Sequence, residues 1–489
     1  MMTLNFENLD QLPPRIERPG HDPRAVSPGI LHIGLGNFHR AHQALYLHDL
    51  MGCGLAMDWG ILGAGVMPSD AQMRSDLEAQ DWLFTVVEQD AEQETARICA
   101  AMTGFVPVAP DHAPMRSAME DPAIRIVSLT VTEGGYFLDS SGQPDLAHAA
   151  LQADIRSPDT PATAFGAIVA GLRARRDAGQ APFTVMCCDN LPHNGVITKT
   201  LIQAIAEAQD PKLGAWIGEN VSFPNAMVDR ITPATTEARA AQLRDGFGLQ
   251  DARPVFCEPF RQWVIEDQFC AGRPPLEQAG AEFVSDVAPF ETMKIRILNG
   301  GHAVIAYAAG LLGVEFAHEA MAHPLVGRFF DKVEAEEILP NVPPVPGTDR
   351  AAYVDLIRRR FANPRVEDTI RRLCLDGSNR QPKFIVPSIR DNLARGGPVA
   401  GLALESALWC RYCMGQDENS AEIAPNDPSW GQLQKRAIQA QESPQIWLDM
   451  AEVYGELRGS AEFASAFETA LQDILSQGVA ATLQAYLQS

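Results

Sequence analysis

The chain has no apolar run approaching the length a bilayer demands. Its first twenty residues, MMTLNFENLDQLPPRIERPG, hold no basic stretch leading into an apolar core. Neither a membrane span nor a secretory leader is expected, and the reading is a cytoplasmic protein without a membrane partner. Positive charge is also scarce: Lys and Arg total 39 against 62 Asp and Glu, a net charge of −23. Such a surface repels phosphate backbones, so no nucleic-acid partner is expected. Cysteine is present nine times, an odd number without regular spacing. That suits reduced thiols better than a disulfide framework. Cys410 and Cys413 make a C-x-x-C, but no second pair stands at zinc spacing, and the neighbouring Trp409 and Tyr412 read as a packed helix.

What remains is ordinary globular material: 489 residues, 46% hydrophobic and 21% charged, enough for two or three domains. From Gly29, GILHIGLGNFHRAHQALYLHDLMGCG reads as strand, glycine turn, helix and glycine stop. WGILGAGV (59–66), WLFTVVEQ (82–89), IRIVSLTVTEGGYF (124–137) and FTVMCCDNLPHNG (183–195) read as further strands. Helical stretches are read at 165–179, between the last two of these strands, and at 196–208, after the last. Alternating strands and helices predict an α/β domain with a mostly parallel sheet over residues 1–285. The segment 270–286 reads as a crossing between domains. Beyond it strand signals fade, and 286–489 is expected to be a mainly α-helical domain.

Two stretches carry chemistry. Gly34 and Gly36 follow an apolar strand and open a helix, as a backbone must where it approaches a pyrophosphate at a helix N-terminus. His39 stands where the third glycine of G-x-G-x-x-G would be, so the turn reads equally as a plain strand–helix connection. Asp70, beyond the next strand, can accept from adenosine ribose hydroxyls and favour NAD over NADP, or it can cap the helix that follows.

The second stretch is ETMKIRILNGGHAVIAY (291–307). At about 100° per residue, Asn299 stands about 140° and His302 about 80° from Lys294. An amine, an amide and an imidazole on one arc of an apolar helix suit alcohol oxidation by hydride transfer. A desolvated lysine takes the hydroxyl proton and amides steady the alkoxide. Asn190, at a strand end, can supply the second amide. The bland alternative has Lys294 reaching solvent, Asn299 capping a kink before Gly300 and Gly301, and His302 a satisfied core histidine.

GLGNFHRAH, TEGGYF, CDNLPHNG, FPNAMVDRITP and KIRILNGGH, in this order over nearly the whole chain, resemble the long-chain, metal-independent polyol dehydrogenases. The resemblance implies a Rossmann-type domain followed by a mainly helical one, with the active site in the cleft between them. It implies NAD as cofactor, met by Gly34, Gly36, Asn37, Phe38, Arg40, Asp70 and Glu133. It makes Lys294 the general acid/base, Asn190 and Asn299 the oxyanion pair, and His302 a substrate contact. Glu291 is then linked to proton exchange with solvent, and Asp229, Arg372 and Arg380 to substrate. The blander reading pairs Asp229 with Arg230 to hold a turn and makes Glu291 a helix N-terminal charge. The implied reaction is oxidation of a polyol such as D-mannitol, D-arabinitol or sorbitol to its ketose, without a metal, by a chain that leans toward a monomer.

Two residues depart from the mannitol-type members. Arg380 stands where they carry lysine, and Ser69 where they can carry glutamate. A planar guanidinium suits a carboxylate as well as a diol, which keeps reduction of fructuronate or tagaturonate open. A non-catalytic NAD sensor and a metallohydrolase are more distant readings. For the latter, His318 and His323 are five apart, about 140° round a helix, and poorly set to share one ion.

Overall fold

A computed structural model describes residues 2–139 and 142–489. The chain forms two compact units, Met1–Ala288 and Pro289–Ser489.

The first unit is built on five parallel strands: β1 (Pro28–Ile33), β2 (Gly60–Ala64), β3 (Met102–Phe105), β4 (Ile126–Leu129) and β5 (Thr184–Cys187). Their order across the sheet is β3-β2-β1-β4-β5. This is the Rossmann arrangement, with the order reversing beside β1. Side chains alternate between two apolar layers, as the pleat requires. Ile30, Ile61, Ile126 and Met186 pack on one face with Ala44, Leu45 and Leu47. These last belong to α2 (Gln43–Gly52), which follows the short α1 (Asn37–Ala41). Leu31, Ile33, Val127, Leu129 and Val185 pack on the other face with Ile168 and Ile202. Those two come from α4 (Ala164–Asp177) and α5 (Asn194–Gln209), while α3 (Asp70–Glu78) follows β2. Thr163 starts α4 by accepting from the Gly166 N–H at 3.0 Å.

The alternation of residues 82–89 gives a strand, Phe84–Gln89, but it lies outside the parallel sheet. It pairs antiparallel with Glu94–Cys99 in a separate four-stranded sheet. The Asp90 carboxylate closes that hairpin, accepting from the Glu92 and Gln93 N–H groups at 2.9 Å each. Strand β3 escapes the sequence reading because its residues, MTGF, hold a single β-branched side chain and a glycine and show no apolar run. The segment 270–286 does not serve as a bare crossing. Its Glu282–Val284 pairs with Gln262–Glu266 in a three-stranded sheet of the first unit.

The second unit is helical, with no strand among its described residues. The stretch read as one helix from 291 is three pieces: α6 (Ala288–Met293), a π-helix over Lys294–Asn299, and α7 (Gly300–Leu311). Asp286 opens it by accepting from the Ala288 N–H at 2.9 Å. The Gly300 N–H reaches back five residues to the Ile295 carbonyl. Helix α8 (Ala400–Cys413) packs on α7 and buries both Cys410 and Cys413. No helix among the described residues is long and apolar enough to cross a membrane.

Candidate active site

In the first unit the candidate residues gather at the carboxyl ends of the parallel strands. Gly34 follows β1 at φ +91, and a Cβ there would be driven into the Thr130 carbonyl oxygen. No L side chain fits that place. Gly36 differs. It is exposed, its φ is −89, and a Cβ would meet nothing nearer than the Gly34 oxygen at 3.9 Å. Gly34 is thus required by the fold, whereas Gly36 keeps open the space where a phosphate can reach the backbone at the start of α1. The residues present fit a dinucleotide there.

The third glycine of the usual pattern is replaced by packing that the sequence did not announce. The His39 ring stacks on His32 of β1 with centroids 3.3 Å apart. The Thr130 hydroxyl donates to the Gly34 carbonyl at 2.7 Å and faces His32 Nε2 at 2.9 Å. His32 Nε2 therefore carries the hydrogen, and Nδ1 accepts from the Ser128 hydroxyl at 2.8 Å. Burial pushes the His32 pKa down to about 3, and that of His39 falls well below its usual value for the same reason. Both rings are neutral at ordinary pH, so their stacking carries no charge repulsion.

Arg40 is turned inward. Its guanidinium donates to Asn37 Oδ1 at 2.7 Å and to the Arg253 carbonyl. Burial lowers its pKa to about 10, so it stays charged. Asn37 Nδ2 donates in turn to the Thr235 hydroxyl at 3.2 Å. Arg40 accordingly steadies the first turn of α1 from inside and does not offer its side chain to a phosphate. Phe38 is half-buried against the His42 ring. Asp70 begins α3 but caps backward: its Oδ2 accepts from the Val66 and Met67 N–H groups at 2.8 and 2.9 Å. Glu133 and Asn190 are exposed, after β4 and β5 respectively.

Asp189 was not singled out in the sequence, although it adjoins Asn190 in CDNLPHNG. Its buried carboxylate accepts from Val131 N at 3.0 Å, Thr132 N at 2.8 Å and the Tyr136 hydroxyl at 2.7 Å. One side chain thereby ties the loop bearing Glu133 to the loop bearing Asn190. Desolvation raises its pKa, opposed by these same hydrogen bonds. Asp189→Ala strands the buried Tyr136 hydroxyl and removes the acceptor of the part-buried Val131 and Thr132 N–H groups, and is expected to cost about 2 kcal/mol, read by denaturant unfolding. Asp229 is buried at the end of the strand Ala226–Asp229. Arg230, proposed from sequence as its partner, ion-pairs with Glu88 and donates to the Glu258 and Ala41 carbonyls.

In the second unit Glu291, Lys294, Asn299 and His302 share the α–π–α helix. Glu291 and Lys294 are buried. The π-helical hydrogen bonds run between residues five apart, so Lys294 and Asn299 stand nearly one above the other. The separation of about 140° expected for a regular helix is therefore too wide. His302 is not a satisfied core histidine. Its ring lies parallel to Phe361 at 4.0 Å, and its buried Nε2 has no hydrogen-bond partner. Burial holds its pKa well below the usual value, reinforced by the charges of Arg372, Arg360 and Arg380. A neutral imidazole with an unmet ring nitrogen awaits a hydroxyl group. Arg372 is held by Asp368 through Nε at 2.5 Å and through Nη2. Arg380 donates from Nη1 to the Arg372 and Leu373 carbonyls at 3.3 and 3.2 Å. His323 accepts weakly from the Leu325 and Val326 N–H groups, and no group of three metal-ligating side chains occurs among the described residues.

Comparison with known proteins gives the same pattern over the full length. Residues 28–278 match the family model described as mannitol dehydrogenase Rossmann domain, and 286–475 match the mannitol dehydrogenase C-terminal domain. A mannitol 2-dehydrogenase of Cereibacter sphaeroides is 57% identical over 96% of this chain and 99% of its own. One from Pyricularia oryzae is 38% identical over 96% and 95%. Among solved structures, the Pseudomonas fluorescens mannitol 2-dehydrogenase ternary complex with NAD and D-mannitol aligns with a TM-score of 0.88 at 40% identity, covering 100% of both chains. A substrate-free D-sorbitol dehydrogenase aligns with a TM-score of 0.91 at 33% identity, covering 99% of this chain and 100% of that one.

Proposed function

Since the chain belongs to the mannitol dehydrogenase family, we propose that it is a metal-independent, NAD-dependent polyol dehydrogenase interconverting D-mannitol and D-fructose. The observation that carries this reading is the buried Lys294 with Asn299 stacked over it by the π-helical turn, followed one turn later by His302. The likeness to proteins named for that activity supports it.

Bound NAD supplies the acceptor for the hydride leaving the carbinol carbon. Gly36 gives the backbone room for the dinucleotide at α1, and Asp70, Glu133, Asn37 and Phe38 complete that side. Lys294 takes the hydroxyl proton as the hydride departs and returns it in ketose reduction. The amides of Asn190 and Asn299 donate to the developing alkoxide. Neutral His302 meets a substrate hydroxyl through Nε2, and Asp229, Arg372 and Arg380 hold the rest of the polyol. Glu291, one turn before Lys294, passes the released proton toward solvent. The enzyme acts as a cytoplasmic monomer on a small polyol or ketose.

A second reading, reduction of a keto-uronate, is favoured by one feature: the planar guanidinium of Arg380 suits a carboxylate. Oxidation of NADH, followed by absorbance with D-fructose, D-xylulose, fructuronate and tagaturonate as separate acceptors, decides between them. Fast turnover with the uncharged ketoses is expected. Turnover with the uronates alone would move the enzyme to hexuronate chemistry.

A further inference from the structure

Arg372 and Arg380 differ in what balances their charge. Arg380 rests on two neutral carbonyls, those of Arg372 and Leu373. Arg372 instead faces a full carboxylate. Asp368 takes its Nε and Nη2 in a two-pronged pair, one helical turn away. The Asp368 side chain is only 7% exposed, against 53% for that of Arg372. The acid therefore lies beneath the guanidinium and leaves the outer nitrogen, Nη1, facing away from the pair. Asp368 is itself fixed in the chain, since its carbonyl accepts from the Ala317 N–H at 2.8 Å. The next residue, Thr369, caps the helix bearing Arg372 by accepting from the Arg372 N–H at 3.2 Å. The helices bearing Arg372 (Ile370–Leu373) and Arg380 (Gly377–Phe384) both pack on α7, which carries His302, and the charges of both guanidiniums help to hold the His302 pKa down.

We propose that Asp368 sets the charge preference of the substrate site. By neutralising Arg372, it keeps the distal end of the site suited to the uncharged hydroxymethyl terminus of a ketose and ill-suited to a terminal carboxylate. An arginine whose charge is already balanced by a buried carboxylate attracts a second carboxylate far less, although its outer N–H groups remain free to donate. Its Nη1 can still donate to a hydroxyl. A keto-uronate brings a carboxylate where a ketohexose has a primary alcohol, and that charge meets Asp368 as well as Arg372. This inference rests on the reading above that Arg372 and Arg380 hold the far end of the substrate.

The test compares kcat/KM for D-fructose and D-fructuronate in the wild-type enzyme, in Asp368→Asn and in the double variant Asp368→Asn with Arg372→Gln. Asparagine keeps the shape and one acceptor but frees the charge of Arg372. The wild type is expected to favour D-fructose. The uronate-to-fructose ratio is expected to rise about tenfold or more in Asp368→Asn, the gain of one charge-assisted hydrogen bond. It is expected to fall back in the double variant. An unchanged ratio in Asp368→Asn, or a rise that persists without Arg372, overturns the proposal, as does a wild type that prefers the uronate. Asp368→Ser is the second route to the same measurement. Whichever variant keeps wild-type NADH binding and circular dichroism is the one read. A wild type that reduces neither ketose would instead overturn the assigned reaction, so the two failures are distinct.

Discussion

Replacing Lys294 with alanine is expected to lower kcat for D-fructose reduction by about 10²- to 10⁴-fold while the Kd for NADH stays within about twofold of wild type. The size follows from what the residue does. A ketone accepts hydride poorly unless a proton reaches its oxygen as charge develops there, and Lys294 is the buried amine on the helix bearing Asn299 and His302. The residues that frame the dinucleotide turn all lie in the first unit, on β1, α1 and the ends of the neighbouring strands. Losing an amine from the second unit therefore removes chemistry and leaves cofactor binding. Small primary amines added to Lys294→Ala should restore part of kcat, rising with the amine's basicity. A lysine needed only for packing would give neither result: its loss would lower Tm, and amines would do nothing. Near-normal turnover in the variant would overturn the assignment.

How far the site could be read from sequence depended on whether a residue acts through local or distant partners. The glycine turn was legible because its constraint is local: the positive φ of Gly34 belongs to that residue alone. Lys294, Asn299 and His302 were legible as polar residues in an apolar run. Their true geometry was not, because the spacing of apolar residues does not announce a π-helical turn, and five residues at a regular helical step point well apart. Asp189 stood in plain view beside Asn190, yet its importance lies in bonds to Val131, Thr132 and Tyr136, more than fifty residues away. The inward turn of Arg40 depends on the Arg253 carbonyl, 213 residues on. For the same reason the strand Phe84–Gln89 was found but put in the wrong sheet: alternation reports a pleat and is silent about the neighbour. The missing third glycine is the most instructive case. In place of close helix–strand packing over a bare backbone, two neutral imidazoles stack, and the hydroxyls of Ser128 and Thr130 hold His32 in the tautomer that permits it. A pattern match counts this as a defect, although the contact between α1 and β1 is made by other means.

The two glycines of the turn should separate folding from cofactor binding. Gly34→Ala is expected to lower stability by about 3 kcal/mol or more, because the new Cβ meets the Thr130 carbonyl and the residue must hold a left-handed φ. The damage falls on the hydrogen bonds that join β1 to β2 and β4, including Gly34 N to the Ala64 carbonyl at 2.9 Å. The expected readout is a lower unfolding midpoint, with activity lost in proportion to folded protein. Gly36→Val is expected to leave that midpoint within about 1 kcal/mol, the cost of a poorer cap on α1, since φ −89 admits any L residue and the space beside its Cα is open. That same open space is what the dinucleotide needs, and a branched side chain fills it. NADH affinity should therefore fall at least about 100-fold, measured by fluorescence titration, in a protein that unfolds like wild type. If Gly36→Val bound NADH normally, the turn would be only a strand–helix connection, and the cofactor would have to enter elsewhere. If instead both variants lost stability together, the two glycines would share one structural task and the open Cα of Gly36 would carry no functional meaning.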